Sequence, residues 1–362
     1  MRNFLIAAAI LSTACFETGT ALAADAHTAN VRQVIEGYIR PATSTFARQA
    51  STLPPTIEAL CTTATAQTKA DFVNGYREVV TAFGGISFLR FGPTIEDHRL
   101  DSLAFMPDAR GITQRQIRRT FAKKDPSITD PSQLSDKSVA LQGLTALQLI
   151  AFSKGGEVVL GDAGENRDYI CGYASAIAQN VARIAAEIAT DWQDENGYSA
   201  RLLNPGPDNG QIRTSKEAIE TIFNALVTGL IIVKDQELLP TLGTEIKKAK
   251  AHRLPFSRSG DGRAYLIAEL QGIEAALRAA HFEPDLDEEF SWIPGSIHFE
   301  FANGIANLEA IDAPIRQSLK DGDTYQKLGL LVITINSLRD TIALELAGAL
   351  GLSGGFNALD GD

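Results

Sequence analysis

The chain has 362 residues, with 33 Lys and Arg against 44 Asp and Glu, a formal charge of −11 and a pI near 5.1. An acidic chain is not expected to bind the phosphate backbone of nucleic acids, which requires a basic surface. The charge is compatible with cations or basic peptides as partners, and equally with plain solubility. The length is sufficient to bury a large core, in one domain or in two smaller ones.

The first 23 residues have the pattern of a secretory signal peptide. Arg2 supplies the positive start, an apolar stretch follows, and "ALA" ending at Ala23 fits the rule for signal cleavage. Cys15 raises the alternative of a lipid anchor, but Leu11 stands four residues before it where three is usual. The sequence therefore predicts an exported, periplasmic protein. After residue 23 it contains no apolar run long enough to span a membrane.

Two cysteines remain after the predicted cleavage, Cys61 and Cys171. An exported chain meets oxidants, so an even number of cysteines suggests a disulfide. The bond would tie an early loop to a later helix. The alternative is two separate buried thiols.

Most of the chain is predicted to be helical, because apolar residues recur every three or four positions and do not alternate. The stretch "LPPT" at residues 53–56 is predicted to be a loop, since proline interrupts helices. The predicted helices cover residues 30–50, 67–89, 113–121, 135–153, 166–192, 215–238, 262–280, 296–319 and 324–350.

The clearest linker is "LLNPGPDNG" at residues 202–210, after which the helical pattern starts again. It divides the mature chain into a half at residues 24–201 and a half at residues 211–362. Each half offers about four helices, so the sequence predicts an all-α fold of two helical-bundle halves. An ancient duplication would explain this arrangement, although the residues of the two halves resemble each other weakly.

The predicted helix at residues 135–153 contains the apolar stretch "VALQGLTALQLIAF". Ser138, Gln142, Thr145 and Gln148 follow one another by four, three and three residues, which would place them in one polar stripe. Such side chains either find hydrogen-bond partners within a core or line a polar pocket between the halves. Gly143 is costly inside a helix and indicates the close approach of another backbone or of a bulky ring.

Several stretches resemble the imelysin-like family of exported bacterial helical proteins, which is also described as a peptidase family. They occur in the family's order over most of the mature chain. The resemblance implies an all-α fold of two bundle-like halves with a site at their junction. It also implies an association with bacterial iron uptake and a metallopeptidase label. The matching stretches are "FLRFGP" (88–93), "FMPDARG" (105–111), "SVALQGLTALQLIAF" (138–152) and "GFNALDGD" (355–362).

The sequence departs from the family at its metal motif, Gly-x-His-x-x-Glu. Thr145 stands in place of the histidine and Gln148 in place of the glutamate, while Met106 replaces a tryptophan. Zinc prefers imidazole, thiolate or carboxylate ligands, and neither a hydroxyl nor a neutral amide can serve as a general base near neutral pH. We therefore do not expect zinc peptidase chemistry on this helix.

Charged residues in the family-like loops offer another candidate site. Asp108 is expected to form an internal ion pair with Arg90 or Arg110. The functional alternative is that these three residues form a cluster that binds an anion or orients a substrate.

Two weaker candidates involve cations. His98 with Glu96 and Asp101 is the best remaining local cluster for a metal, although such loop clusters are usually solvated. Asn357 and Asp360 in the C-terminal segment could offer oxygen atoms to a hard cation, but they fall short of the six to eight ligands that calcium takes.

The sequence thus favours a non-catalytic periplasmic binding or accessory protein, whose link to iron uptake comes from the resemblance. The alternatives are a metallopeptidase or other hydrolase with a relocated metal site, and a structural or partner-docking envelope protein. No cofactor is assigned, and the resemblance allows iron or another cation. The expected partner is an unidentified small ligand or envelope protein, and not a nucleic acid.

Overall fold

The structure is a computed structural model that describes residues 27–353. Over these residues it contains no named strand, and none of its helices is long and apolar enough to cross a membrane. The all-α prediction is confirmed. The ten main helices are α1 (27–50), α2 (Leu53–Thr62), α3 (Ala66–Ile86), α4 (Ile112–Lys123), α5 (Gly143–Ala151), α6 (Arg167–Gln193), α7 (215–242), α8 (Gly262–Ala280), α9 (Ile293–Glu309) and α10 (322–349).

Short helical pieces and three π-helical segments complete the secondary structure. The π-helical segments Ile35–Ile39, Ile232–Leu238 and Thr341–Leu346 lie within α1, α7 and α10. The short α-helices are Arg99–Leu103, Pro131–Leu134, Tyr198–Leu203 and Ile315–Ser318. The short 3₁₀ turns are Gly92–Thr94, Glu96–His98, Pro126–Thr129, Val139–Leu141, Ile246–Lys248, Ala251–Arg253, Glu283–Asp285 and Glu288–Phe290.

Helices α1, α2, α3 and α6 pack against one another, and α5 lies on α6. We call this group of helices the first bundle. The apolar face of α6 explains its central place, because Tyr173, Ile177, Ala185 and Ile188 recur at helical spacing and are fully buried. Each of these side chains removes apolar surface from water, which is the main driving force for packing.

Helices α7, α8, α9 and α10 form the second bundle, and α3 packs against α8 to join the two bundles. The crossing of α3 and α8 is close because glycines stand at it. A Cβ atom on Gly272 would lie 2.5 Å from the carbonyl oxygen of Gly85. The buried apolar side chains of both bundles form one connected core. The exact boundary between the halves and the duplication stay predictions.

The structure differs from the helices predicted from the sequence in three places. The "LPPT" stretch is not a loop but the start of α2, because proline is tolerated in the first turn of a helix. The helix predicted at 135–153 begins only at Gly143. The helix predicted at 296–319 ends at Glu309, and its last part forms the separate turn Ile315–Ser318.

Candidate functional site

A cleft of about 730 Å³ lies between the two bundles. The first bundle and its loops contribute residues between 83 and 154, and the second bundle contributes residues between 229 and 316. We call it the interbundle cleft. Its volume is within the range of small-molecule sites, which often lie where two packed units meet.

Helix α5 presents the degenerate family motif to the interbundle cleft. Thr145 and Gln148 both line it. The Thr145 hydroxyl oxygen accepts a hydrogen bond from the backbone N–H of Phe105 at 3.1 Å, which fixes the neighbouring loop. The Gln148 side chain differs, because its buried Oε1 atom has no hydrogen-bond donor in the described part of the protein.

Gln142 and Gly143 have structural roles outside the interbundle cleft. The Gln142 amide donates to the carbonyl oxygens of Ser135 and Lys137 at 3.2 and 2.8 Å, and its Oε1 accepts from Asn180 at 2.9 Å. Gly143 is the first residue of α5 and approaches the backbone of residues 102–103, so a close backbone approach exists, although not in mid-helix. The predicted continuous polar stripe is therefore wrong, since α5 starts after Gln142.

The two glutamines should respond differently to replacement by alanine. Gln142→Ala removes three hydrogen bonds and leaves the buried amide of Asn180 unpaired, so it should lower the free energy of unfolding by about 2–4 kcal/mol. Gln148→Ala removes a side chain whose oxygen has no donor, so we expect a change within about 1 kcal/mol. Urea unfolding of both variants measures this. Equal losses would mean that Gln148 is an ordinary core residue.

Two buried glutamates, Glu237 and Glu269, face the interbundle cleft from the second bundle. Glu237 lies in the π-helical segment of α7, and such segments are frequent at functional sites. Glu269 lies on α8, where the Ser87 hydroxyl donates to its Oε1 at 3.1 Å. The Oε2 atom of each carboxyl group has no hydrogen-bond partner among the described residues.

Burial favours the neutral form of both carboxyl groups. It raises the pKa of Glu237 well above its usual value, and the adjacent Glu269 carboxyl raises it further. Burial also raises the pKa of Glu269 to about 7, against the hydrogen bonds from its neighbours and the positive charge of Arg90. The cleft thus contains two acid groups that can share protons near neutral pH.

The raised pKa of Glu269 makes stability depend on pH. In the unfolded chain this group loses its proton near its ordinary value of 4.5, whereas the folded protein retains it up to about pH 7. The stabilisation is complete below pH 4.5 and is lost as the pH rises toward 7. In the wild type the unfolding free energy should fall between pH 4.5 and 7. In Glu269→Gln this fall should be less steep, by about 1.4 kcal/mol per pH unit. Urea unfolding at several pH values tests this, with the exposed Glu58→Gln as control, and an unchanged slope would contradict the buried-acid assignment.

Six basic side chains also line the interbundle cleft, including the predicted Arg90 and Arg110. Within the described residues none of the six has a carboxylate oxygen within 4.0 Å. The set is Arg90, Arg110, Lys154, Arg253, Arg258 and Arg316.

The predicted ion pair of Asp108 with an arginine is wrong. Asp108 lines the cleft, but its two carboxylate oxygens accept from the backbone N–H groups of Ile112 and Thr113 at 2.7 and 2.9 Å. These are the first N–H groups of α4, which have no partner within the helix, so the carboxylate acts as a helix cap. Among the described residues, neither Arg90 nor Arg110 forms an ion pair with Asp108.

The two weaker cation candidates do not gain support. The nearest acid to His98 is Asp101, with 4.0 Å between Nδ1 and Oδ2, and both side chains are more than half exposed. Asn357 and Asp360 lie outside the described residues.

The donor set of the interbundle cleft does not suit a peptidase zinc ion. Thr145 and Gln148 offer a hydroxyl and a neutral amide, which are poor zinc ligands. In the described part of the chain, no group of three His, Cys, Asp or Glu side chains is placed to hold a metal ion.

Sequence reasoning missed Glu237, Glu269, Arg258 and Arg316. Glu269 could have been found, because it follows Tyr265 by four residues and precedes Ile273 by four, on the apolar face of α8. A carboxyl group on such a face is seldom buried without a function or a partner. The two arginines lie in irregular or short segments, where spacing carries no signal.

The fold and the cleft define an all-α protein of two packed helical bundles with a ligand-sized space between them. The model of the imelysin family matches residues 39–343, and the chain belongs to the imelysin family. Among curated proteins none matches.

Two solved structures are similar to this chain in fold. The first is an imelysin-like protein from Psychrobacter arcticus 273-4, with a TM-score of 0.76 and 18% identity over 92% of this chain and 98% of that chain. The second, from Parabacteroides distasonis ATCC 8503, is named as an iron-regulated protein A precursor. It has a TM-score of 0.63 and 13% identity over 91% of this chain and 97% of the other.

Proposed function

We propose that this chain is an exported, non-catalytic ligand-binding protein of the imelysin family that takes its ligand in the interbundle cleft. The observation that carries the proposal is a set of three buried polar groups that line one cleft. They are the amide of Gln148, whose Oε1 atom has no donor among the described residues, and the carboxyl groups of Glu237 and Glu269. An unpaired buried polar atom costs about 1–3 kcal/mol, so a ligand that pairs with it would stabilise the protein on binding.

The export and iron parts of the proposal have separate support. The N-terminal residues have the pattern of a signal peptide, and a disulfide joins Cys61 to Cys171, which suits an oxidising compartment. The relative from Parabacteroides distasonis is named as iron-regulated, which favours a role in iron acquisition.

The non-catalytic part is supported by the residues of helix α5. A metallopeptidase site on this helix would need a general base or a metal-bound water there, and Thr145 and Gln148 supply neither. The hydrolase alternative would need a site elsewhere, for example at His98. The partner-docking alternative has one supporting observation, the exposed apolar side chains Phe299, Leu330 and Ile333 of α9 and α10.

Metal analysis of the purified protein, with calorimetric titration of Fe²⁺, Fe³⁺, Zn²⁺ and haem, tests this function. We expect less than stoichiometric zinc and no peptidase activity that a chelator abolishes. Stoichiometric zinc that His98→Ala removes would establish the relocated site and overturn the proposal. Zinc that His98→Ala leaves and Gln148→Ala removes would overturn the non-catalytic assignment of the cleft.

A further inference from the structure

We propose that the ligand of the interbundle cleft is a compact polyanion, one that carries several carboxylate or phosphate groups. It is held by the six basic side chains that line the cleft and that have no carboxylate partner among the described residues. This inference rests on the proposed function, since it assumes that the cleft binds a ligand. It adds the chemical class of that ligand.

Arg258 and Arg316 form the centre of the argument. The Arg258 guanidinium donates to the carbonyl oxygens of Leu149 and Phe152, both at 3.4 Å. Arg316 donates to the carbonyl oxygen of Lys154 and to the Ser257 hydroxyl, both at 3.2 Å. All these acceptors are neutral. The two guanidinium groups are therefore anchored in place, while their charges remain uncompensated.

The side chains near these arginines experience a positive field. Burial lowers the pKa of Arg258, and the neighbouring Arg316 charge lowers it further. His252 responds in the same direction, because burial and then the charges of Arg253, Arg316 and Lys250 lower its pKa. Like charges held together are unfavourable, and an anion between them relieves the repulsion.

Within the described residues the acidic side chains of the cleft form no ion pair with the six basic ones. Asp108 accepts hydrogen bonds from the first backbone N–H groups of α4, and Asp235 pairs with Lys234 at 3.0 Å. Asp101 lies beside His98 at 4.0 Å. The two remaining acids, Glu237 and Glu269, are buried, and burial raises the pKa of both.

The size of the cleft and the charge of the chain define the kind of anion. A space of about 730 Å³ holds a small molecule and not a nucleic acid or a membrane surface. The formal charge of −11 makes large polyanions unfavourable partners for the chain as a whole. Several charged groups on one compact ligand fit several arginines, which bind carboxylate and phosphate in two-pronged geometry.

The sharpest test uses citrate and its neutral analogue triethyl citrate in calorimetric titrations at low salt, with inorganic phosphate as a second anion. We expect citrate to bind one per chain and triethyl citrate not to bind. The double variant Arg258→Gln/Arg316→Gln should weaken citrate at least about tenfold, as expected for the loss of charged hydrogen bonds. The matched control Arg278→Gln/Arg339→Gln, which changes an exposed and a half-buried arginine that do not line the cleft, should leave the affinity unchanged.

Arg258 and Arg316 also donate hydrogen bonds to backbone carbonyl oxygens, so their double variant could fail to fold. A second double variant avoids this problem. Arg110→Gln/Lys154→Gln changes exposed side chains and should weaken citrate several-fold. Adding Fe³⁺ to citrate distinguishes the free anion from a ferric complex as the bound species. Failure of both citrate and phosphate to bind, or binding that both cleft variants leave unchanged, would overturn the polyanion. Binding of triethyl citrate, haem or free Fe²⁺ that Gln148→Ala weakens would overturn the polyanion while supporting the proposed function.

Discussion

Removal of the Cys61–Cys171 disulfide should lower the free energy of unfolding by about 4–5 kcal/mol, because the bond closes a loop of 110 residues in the unfolded chain. The predicted disulfide is confirmed, with the difference that Cys61 lies in helix α2 and not in a loop. The bond joins α2 to the start of α6. Urea unfolding of Cys61→Ala/Cys171→Ala against the oxidised wild type measures the effect.

Reduction of the wild type supplies the matched control. Other contacts also join the helices near the disulfide. Arg167 at the start of α6 donates to the carbonyl oxygens of Gly161 and Cys61, and Lys69 of α3 pairs with Asp162 at 2.5 Å. The native structure should therefore survive while its unfolding midpoint falls. Reductant should lower the wild-type midpoint to that of the variant and leave the variant unaffected. An oxidised wild type no more stable than the variant would contradict the account.

Gly143→Ala should destabilise the protein by about 2–5 kcal/mol, the second large effect, through a strained backbone and an overpacked contact. Gly143 has φ of +72°, a conformation that alanine adopts at a cost. A Cβ atom there would also lie well under 3.0 Å from the carbonyl oxygens of Ser102 and Leu103. The backbone of that segment would have to shift.

Gly111→Ala is the matched control for this substitution. Gly111 has φ of +63°, but a Cβ atom on it would meet nothing within 4 Å. Gly111→Ala should therefore lower the free energy of unfolding only by the cost of the backbone conformation, about 1–2 kcal/mol. Urea unfolding of the two variants separates strain from crowding, and equal losses would show that the approach of residues 102–103 to α5 has no energetic effect.

The sequence predicted the helices well because their apolar faces are long and regular. Helix α8 has the predicted bounds, and α6 and α10 differ from theirs by one or two residues. The errors came where a local signal has two meanings. Proline at residues 54–55 can end a helix or start one, and tertiary packing places it in the first turn of α2. Gly143 can lie inside a helix or open it, and only the neighbouring backbone decides.

The sequence placed several of the cleft residues among its candidates. Thr145, Gln148, Arg90, Asp108 and Arg110 line one cleft, and their role in binding stays a prediction. The pairing of Asp108 was wrong because a carboxylate near a helix start has two sets of donors within reach, and sequence does not rank them.

The basic character of the cleft was not predicted, because net charge describes the whole chain. Its acidic total of −11 is compatible with cations or basic peptides as partners, or with plain solubility. The fold nevertheless gathers six basic side chains from distant positions, none with a carboxylate partner among the described residues. Two of them, Arg258 and Arg316, come from segments that the helical pattern does not place.

The central claim is that the cleft binds its ligand without a metal, at a motif whose metal-binding side chains have been replaced. Calorimetric titration of citrate into protein and buffers freed of metal on a chelating resin tests it most directly. We predict one citrate per chain, with the same affinity before and after metal removal. Citrate binding that disappears with the metal and returns when Zn²⁺ or Fe³⁺ is added in stoichiometric amount would contradict the account.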